Sequence, residues 1–419
     1  MRTVIGLDDT DSRTRGMCTT YAARLIAGGL RERGHRVASL RLVRLNPAVE
    51  HKTRGNAALA IHTEAPVSVA LETARRTIEA HAETADETTN PGLVVATDVD
   101  EAVVEFARDA VTEIHDRDTA DSLIGERGYE AVGWGNGRGT IGALAAVGAH
   151  EAFEDWTYEY VAYRHPDRWG TPREVDRDSL FDAADAAYPR AWDTVDRGEG
   201  APVCVPNAPG PILYGIRGDD PVALAQVADG IDSEPVHERA LFVTNQGTDV
   251  HVQHGEIGSL ADDRAYRVTG TVARSPETRR GGHVFLALRD GDASVECVAF
   301  EPTKRFRDRV RSLRVGDRIT AVGEVTAGTL KLEKVAVRDL VRTETATPTC
   351  PDCGRTMESA GADQGYRCRD CGTSAPGPVE RSVERDLERG WYEVPPVARR
   401  HVAKPLVRGG FDAPIHPER

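Results

Sequence analysis

Lysine is nearly missing from this chain of 419 residues: of 53 Lys and Arg, only Lys52, Lys304, Lys331, Lys334 and Lys404 are lysine. Asp and Glu number 67, so the net charge is -14. A negative surface ordinarily repels nucleic acid, because phosphates attract Lys and Arg. The acid-rich, lysine-poor balance is also what a halophilic cytoplasm favours. In molar salt the Debye length falls to about 3 Å, so local arginine contacts with RNA are not excluded. Long apolar runs are lacking too. The longest uncharged one, Gly139 to Ala149, is far short of the roughly 20 residues of a membrane span. The opening Met1-Arg2-Thr3-Val4-Ile5-Gly6-Leu7 turns acidic at once, unlike a signal peptide. A cytoplasmic location and no membrane partner are expected. There is no internal repeat, no low-complexity tract, and no Walker GxxxxGK followed by Ser or Thr.

What is present reads as several domains. Residues 1–155 alternate strands (Thr3 to Leu7, Val37 to Leu45, Ala57 to His62, Gly92 to Ala96) with helices (Thr20 to Arg33, Val67 to Ala82, Glu101 to Ile114). They close on a buried small-residue helix from Ile141 to Ala149, an α/β pattern. Residues 156–255 follow the order βαββαβ of a ferredoxin-like α+β domain. Residues 256–342 carry five short β runs with a basic helical stretch, Thr303 to Leu313, between the third and fourth. That pattern fits an OB-fold barrel or another small sandwich. A polar linker, Arg342 to Thr349, leads from the barrel into residues 343–419, which end in a Pro- and Arg-rich segment, Gly390 to Arg419, that reads as loop with one short helix.

Four of the seven cysteines cluster, and Cys18, Cys204 and Cys297 stand apart as expected thiols. Cys350-Pro351-Asp352-Cys353-Gly354 and Cys368-Arg369-Asp370-Cys371-Gly372 place two thiolate pairs fourteen residues apart. This is the spacing of a structural zinc ribbon, in which four thiolates fill the tetrahedral shell. Asp8-Asp9-Thr10-Asp11-Ser12 follows the first strand and precedes Gly16-Met17-Cys18-Thr19-Thr20 at a helix start. Three crowded carboxylates suit Mg²⁺, and the helix N-terminus suits an anion; Asx turns with an N-cap are the alternative reading. His51-Lys52-Thr53-Arg54-Gly55-Asn56 fits a phosphate clamp or a solvated basic loop. Gly135-Asn136-Gly137-Arg138-Gly139 fits a phosphate-approaching loop or a plain tight turn.

Joined in one chain, these motifs resemble the archaeal tRNA(Ile) 2-agmatinylcytidine synthetases, the agmatidine synthases. The resemblance runs through Lys52-Thr53-Arg54-Gly55-Asn56, the Gly-rich loop with Ile141-Gly142-Ala143-Leu144-Ala145-Ala146, Leu213-Tyr214-Gly215-Ile216-Arg217-Gly218, Thr244-Asn245-Gln246-Gly247-Thr248-Asp249, the ribbon, and Ala398-Arg399-Arg400-His401. It implies a kinase-like domain, a ferredoxin-like domain, an OB fold and a zinc ribbon. The implied reaction uses ATP to phosphorylate the C2 oxygen of the wobble cytidine in a CAU anticodon. The amine of agmatine then displaces phosphate, AMP and phosphate are released, and AUA is read as isoleucine. Asp8, Asp9 and Asp11 would take Mg²⁺, and Thr19 would be self-phosphorylated. Lys52, Arg54, Asn56, Asn136 and Arg138 would hold polyphosphate, with Thr10, Ser12, Gly16, Thr20, Gly55, Gly135, Gly137 and Gly139 shaping the nucleotide site. One departure is the loop Arg13-Thr14-Arg15 between Ser12 and Gly16, which bears on phosphate geometry. Arg305, Arg307, Arg309 and Arg311 are candidates for RNA phosphates, and Glu159 or Asp249 for the agmatine guanidinium. A non-catalytic single-strand binder, with the barrel and ribbon doing all the work, is the competing class.

Overall fold

The computed structural model describes residues 3–52 and 55–419; Met1, Arg2, Thr53 and Arg54 lie outside the described residues, and with them the expected role of Arg54. The N-terminal block comprises β1 (Thr3–Asp8), α1 (Thr19–Glu32), β2 (Val37–Arg44), β3 (Ala57–Thr63), α2 (Val67–His81), β4 (Gly92–Ala96), α3 (Glu101–Asp109), α4 (Arg117–Arg127), β5 (Glu130–Gly133) and α5 (Gly139–Ala152). Its strands lie in the order β5-β4-β1-β3-β2, and every neighbouring pair is antiparallel. The strand–helix alternation is thus real, but no parallel βαβ unit results. Period-two alternation sorts the side chains. Ile5 and Leu7 join one core with α1 and α2, whereas Val4 joins a second core with α3 and α5.

The next block comprises β6 (Thr157–Arg164), α6 (Arg177–Ala187), β7 (Ala191–Trp192), a small hairpin β8 (Val195–Asp196) and β9 (Ala201–Pro202), β10 (Ile212–Gly218), α7 (Pro221–Gly230) and β11 (Val236–Thr244). Its order β11-β6-β10-β7 is ferredoxin-like, with the first strand between the fourth and third. β11 pairs in parallel with β2 (Val243 with Arg41, Thr244 with Leu42), so both blocks share one nine-stranded sheet.

After β12 (Val252–His254), the barrel is built from β13 (Arg264–Thr278), β14 (Val284–Asp290), β15 (Ala293–Ala299), α8 (Phe306–Arg311), β16 (Arg318–Thr326) and β17 (Thr329–Asp339). Antiparallel neighbours close through the parallel β15–β17 pair, and Phe306 and Val310 of α8 plug the core. Part of the expected linker is a strand, β18 (Thr343–Ala346), which pairs with β22 (Val379–Ser382). Between them β19 (Glu358–Ser359), β20 (Tyr366–Arg367) and β21 (Ser374–Ala375) form the ribbon's sheet.

Three expectations are corrected. The third helix stops at Asp109, short of the expected Ile114, and α4 with β5 fill the stretch before the Gly-rich loop, to which no element had been assigned. The signals were present: the Asp116 carboxylate caps Thr119 N, and Gly128 ends α4 at φ 63. The C-terminal segment is not loose. β23 (Gly390–Glu393) pairs with β17 and β24 (Ile415–His416) with β23, and Trp391 is fully buried. From β23 the chain runs as a strap over the ferredoxin-like block. Buried Arg399 pairs with Asp193 and, at 2.7 Å, with Glu393; Arg408 meets Asp219 at 2.7 Å and Asp155 at 2.9 Å. Arg305 is tied to Asp196 at 3.1 Å and to Glu418, so it is an interdomain link rather than a free phosphate contact. Arg307 and Arg311 are also engaged, with Gly282 O at 2.7 Å and with Asp308 at 2.5 Å respectively.

Cutting the strap's anchor leaves two buried carboxylates without their cation. Arg399→Ala is expected to cost about 3 kcal/mol, read as a lower denaturant midpoint at fixed salt with far-UV signal before the transition unchanged.

Candidate functional site

A cavity of about 800 Å³ opens between the N-terminal block and the ferredoxin-like block. Asp8, Asp9, Asp11, Cys18, Thr19, Thr20, Lys52, Gly55, Asn56, Asn136, Arg138 and Gly139 line one side. Arg44, Glu159, Val203 to Ala208, Gly215, Arg217 and His401 line the other. Thr10 and Ser12 are buried beneath the rim, and Gly135 and Gly137 shape the loop behind Asn136.

Asp8 points at α5 because it shares the face of Val4 and Gly6 on β1. That face is bare where α5 crosses it: a Cβ on Gly6 would sit 2.0 Å from Ala143 O, and one on Gly92 would sit 2.0 Å from Thr140 N. A Cβ on Gly142 would sit 2.0 Å from Asp8 Oδ2. The helix therefore rides on the sheet at backbone distance, and the carboxylate fills the notch above Gly142. Burial raises the Asp8 pKa well above the usual carboxylate range, and Asp9 and Asp11 push it in the same direction. Asp9 adopts φ 56; Oδ2 accepts from Asn90 N and Arg138 Nε, both at 3.0 Å, yet burial still raises its pKa.

The Gly-rich loop is bonded to itself and to Asn90. Asn136 N donates to Asn90 Oδ1 at 2.9 Å, Gly137 N to Trp134 O at 2.9 Å, and Arg138 N to Asn136 Oδ1 at 3.0 Å. Gly139 N and Thr140 N also donate internally, to Asn90 O and Gly137 O. The amides from Asn136 to Thr140 are thus engaged in this structure, as in the plain tight turn of the alternative reading; positive φ at Gly135 (60°) and Gly137 (70°) makes the turn that seats α5. Arg138 alone reaches out, to Asp9 and to Thr88 O. The N-terminus of α1 offers the better anion site. It begins at Thr19 inside the cavity wall, and Cys18 provides no side-chain cap. Thr10 Oγ1 donates to Thr19 Oγ1 at 3.1 Å. Across the base of the acidic loop, Ser12 N donates to Gly16 O at 2.9 Å, and Ser12 Oγ donates to Asp86, whose pKa falls to about 2.

Lys52 turns its ammonium to Pro47 O and, at 2.9 Å, to Val49 O of its own loop, and burial lowers its pKa. Asn56 Nδ2 likewise holds Asn46 O at 2.7 Å. On the opposite wall Glu159 lies 3.8 Å from Arg44 and 3.6 Å from Arg217; burial brings Arg44 down to about 10. Asp249 is elsewhere, between Lys334 Nζ at 2.5 Å and Lys404 N at 2.6 Å, and does not line the cavity. Sequence reasoning missed Arg44 as a wall residue; its signal, an arginine ending a strand beside the basic loop, is too common to single out.

The four ribbon sulfurs, Cys350, Cys353, Cys368 and Cys371, lie within 4.8 Å of one another, the donor set of a tetrahedral zinc site. Each pair turns on a glycine, with Gly354 N bonded to Cys350 O at 2.9 Å and Gly372 N to Cys368 O at 3.0 Å. Asp8, Asp9 and Asp11 form no such three-ligand cluster. Two buried, mutually repelling hard-oxygen donors nevertheless fit Mg²⁺, which takes only one or two carboxylates beside phosphate and water.

A cavity that sets buried carboxylates and an open helix N-terminus beside an arginine-lined wall, joined to an OB barrel and a ribbon, defines a phosphoryl-handling enzyme that acts on nucleic acid. Family models match along the chain: the TiaS TCKD domain over residues 4–65, the TiaS FLD domain over 137–251, an OB-fold nucleic acid binding domain over 260–334 and the TiaS C-terminal zinc ribbon domain over 347–387. The isoleucine-tRNA 2-agmatinylcytidine synthetase TiaS of Haloquadratum walsbyi is 54% identical over 100% of both chains, and that of Methanosarcina mazei is 46% identical over 97% of both. A crystal structure of TiaS in complex with its isoleucine tRNA and ATP superposes with a TM-score of 0.91 at 42% identity, covering 100% of each chain. A complex of TiaS with the same tRNA, AMPCPP and agmatine gives 0.88 at 40% identity, again over 100% of each. The chain belongs to the TiaS family of isoleucine-tRNA 2-agmatinylcytidine synthetases.

Two variants separate burial from chemistry at this site. The folded-state pKa of Asp8 lies above its unfolded value, so the stability this group contributes is present in acid and lost as pH rises through the raised pKa. Asp8→Asn is therefore expected to raise the neutral-pH melting temperature by roughly 2–4 °C while abolishing ATP turnover. Gly142→Ala forces α5 or the carboxylate to move, and is expected to lower both melting temperature and nucleotide affinity, the latter measured by titration calorimetry.

Proposed function

We propose that this chain joins agmatine to the wobble cytidine of CAU-anticodon isoleucine tRNA in an ATP-dependent reaction, forming 2-agmatinylcytidine. The observation that carries it is the full-length kinship combined with one cavity that gathers Asp8, Asp9, Thr19, Arg138 and the Glu159 wall. A binding-only protein would gain nothing from carboxylates held against their own desolvation.

The chemical problem is the leaving group. A cytosine C2 oxygen does not depart unaided, so its phosphorylation by ATP comes first; the amine then forms the C2–N bond as the C2–O bond breaks and phosphate leaves. On this reading ATP gives up both its γ- and β-phosphoryl groups and leaves as AMP. One group is transferred to the C2 oxygen and departs later as phosphate; the other passes to water as phosphate, with Thr19 as the hydroxyl that takes up a phosphoryl group on the way. Asp8, Asp9 and Asp11 would hold Mg²⁺, directly or through water, and the ion would supply charge neutralisation at the transferring phosphoryl group. Arg138, which pairs with Asp9 at the cavity wall, is the cation placed to meet phosphate oxygens there. The α1 N-terminus receives phosphate oxygens. The wobble base must leave its stack, at a cost of a few kcal/mol that the anticodon loop, already single-stranded, keeps small. The barrel and ribbon hold more distant parts of the tRNA and position that base.

AMP release measured with CAU-anticodon tRNA tests this reading. Release is expected to depend on both tRNA and agmatine, and to vanish in Asp9→Ala with tRNA affinity kept within about threefold. Agmatine incorporation retained by Asp9→Ala would overturn the assignment of the acidic motif.

A further inference from the structure

The stretch from Leu213 to Gly218 enters none of the steps above, yet as β10 it forms part of the cavity's second wall. Helices cover a ferredoxin-like sheet on one face only. Tyr214 and Ile216 join the core under α6 and α7 on that face. Gly215 and Arg217 point the other way, opposite Val161 and Glu159 of β6, and all four line the cavity. The uncovered face of the sheet is therefore a cavity wall, and it presents a guanidinium.

Among the described residues five cations line the cavity: Arg44, Lys52, Arg117, Arg138 and Arg217. Four of them spend their hydrogen bonds within the protein. Arg44 donates to Gln246 Oε1 and Gly55 O, Lys52 to its own loop, Arg117 to Asp121 and Asn136 O, and Arg138 to Asp9 and Thr88 O. Arg217 donates none among the described residues. Its Nε is enclosed 3.6 Å from Glu159 Oε1, too far to bond it. Neither Nη is enclosed, and the side chain keeps 13% of its exposure, so the Nη edge of the fork is the one turned to the cavity.

The carboxylates nearby are already engaged. Glu159 lies between Arg217 and Arg44, and its Oε2 accepts from Gln246 Nε2 at 3.3 Å. Asp193, the other acid close to Arg217, pairs with buried Arg399. Arg44 stays charged at neutral pH although burial brings it down to about 10. Two guanidiniums over one carboxylate leave this wall with a surplus positive charge. A further guanidinium, such as that of agmatine, would be repelled there; an anion with two oxygens on one face would fit the fork.

We propose that Arg217 is the donor of a phosphate subsite on this wall: its Nη edge gives two hydrogen bonds to oxygens of one phosphate group, and Arg44 adds charge from beside it. The proposal rests on the reading above, in which ATP and the anticodon meet in this cavity. Two sources carry that chemistry, the polyphosphate of ATP and the phosphodiesters flanking the wobble nucleotide. The acidic corner and the α1 N-terminus already serve the polyphosphate. A base drawn from its stack brings its own flanking phosphates with it, so a phosphodiester is the expected occupant.

Arg217→Gln and Arg217→Lys test this, by equilibrium binding of ATP with Mg²⁺ and of CAU-anticodon tRNA over the KCl range in which the far-UV signal is constant. A further arm uses tRNA with neutral methylphosphonates on 2′-deoxy sugars at the linkages flanking the wobble nucleotide, compared with the same 2′-deoxy tRNA bearing phosphodiesters. Arg217→Gln is expected to weaken tRNA binding about tenfold and to flatten the slope of log affinity against log salt by about 0.7, with ATP affinity kept within about threefold. Arg217→Lys should recover part of both, since a point charge remains without the fork. Neutral linkages should weaken binding to the unmodified protein and cancel the effect of Arg217→Gln. A tenfold loss of ATP affinity with tRNA binding kept would assign the subsite to the polyphosphate. Unchanged affinity for both, a loss confined to agmatine, or an equal loss for phosphodiester and neutral-linkage tRNA and for ATP would overturn the subsite. Failure of the unmodified protein to bind either ligand would overturn the functional reading, and the subsite with it.

Discussion

The contact on which the site depends is the one between α5 and the strands beneath it. Gly6, Gly92, Gly139 and Gly142 bring helix and sheet to a separation at which no Cβ fits, and Asp8 occupies the remaining space above Gly142. Close packing and unfavourable electrostatics are therefore the same feature. Without the glycines the helix would stand off, water would reach the carboxylates, and their ordinary ionisation would return. With them, Asp8 and Asp9 are kept in a partly desolvated corner, where burial raises the pKa of both and the charge of Asp9 adds to the cost at Asp8. On the reading proposed above, a divalent cation with its phosphates would relieve that corner.

Around that corner the protein spends most of its buried charge on connections between domains. The shared nine-stranded sheet makes the first two blocks a continuous wall of the cavity, so Glu159 and Arg217 are registered against Arg44 by strand pairing. The strap then ties barrel to wall through Arg399, Arg408 and Arg305, all with carboxylate partners. Arginine suits this work because its planar fork pairs two carboxylates at once, which an ammonium does less well, and its charge persists on burial. The scarcity of lysine reads differently in this light. It belongs to an acid-rich surface, while the arginines do structural work inside. Kinship with a Haloquadratum walsbyi protein at 54% identity fits that composition.

Much of this was legible beforehand because the informative signals are local. The aspartate run after a strand, the paired CxxC knuckles and the five short barrel strands each follow from neighbours in sequence, and the ferredoxin-like order follows from element succession alone. What escaped is what long-range packing decides. The antiparallel sense of the first sheet depends on which strands meet. The glycines near Arg138 fitted a phosphate loop or a tight turn equally well; in the structure Gly137 N bonds Trp134 O, Gly139 N bonds Asn90 O, and Gly139 packs on the backbone of Gly92. Lys52 bonds its own loop's carbonyls, a choice no spacing rule encodes. The C-terminal segment looked like loop because its prolines and arginines hide a four-residue strand, β23, whose Trp391 is buried only once the barrel exists.

The most direct measurement of the central claim follows the oxygen. The reading has the cytidine C2 oxygen leave as part of inorganic phosphate, driven out from the corner beside Asp8 and Asp9. A CAU-anticodon tRNA carrying ¹⁸O at C2 of its wobble cytidine, turned over once with ATP and agmatine, should deliver that label to phosphate, seen by mass spectrometry. Label released as water, or retained in the tRNA after agmatine has been joined, would contradict the account.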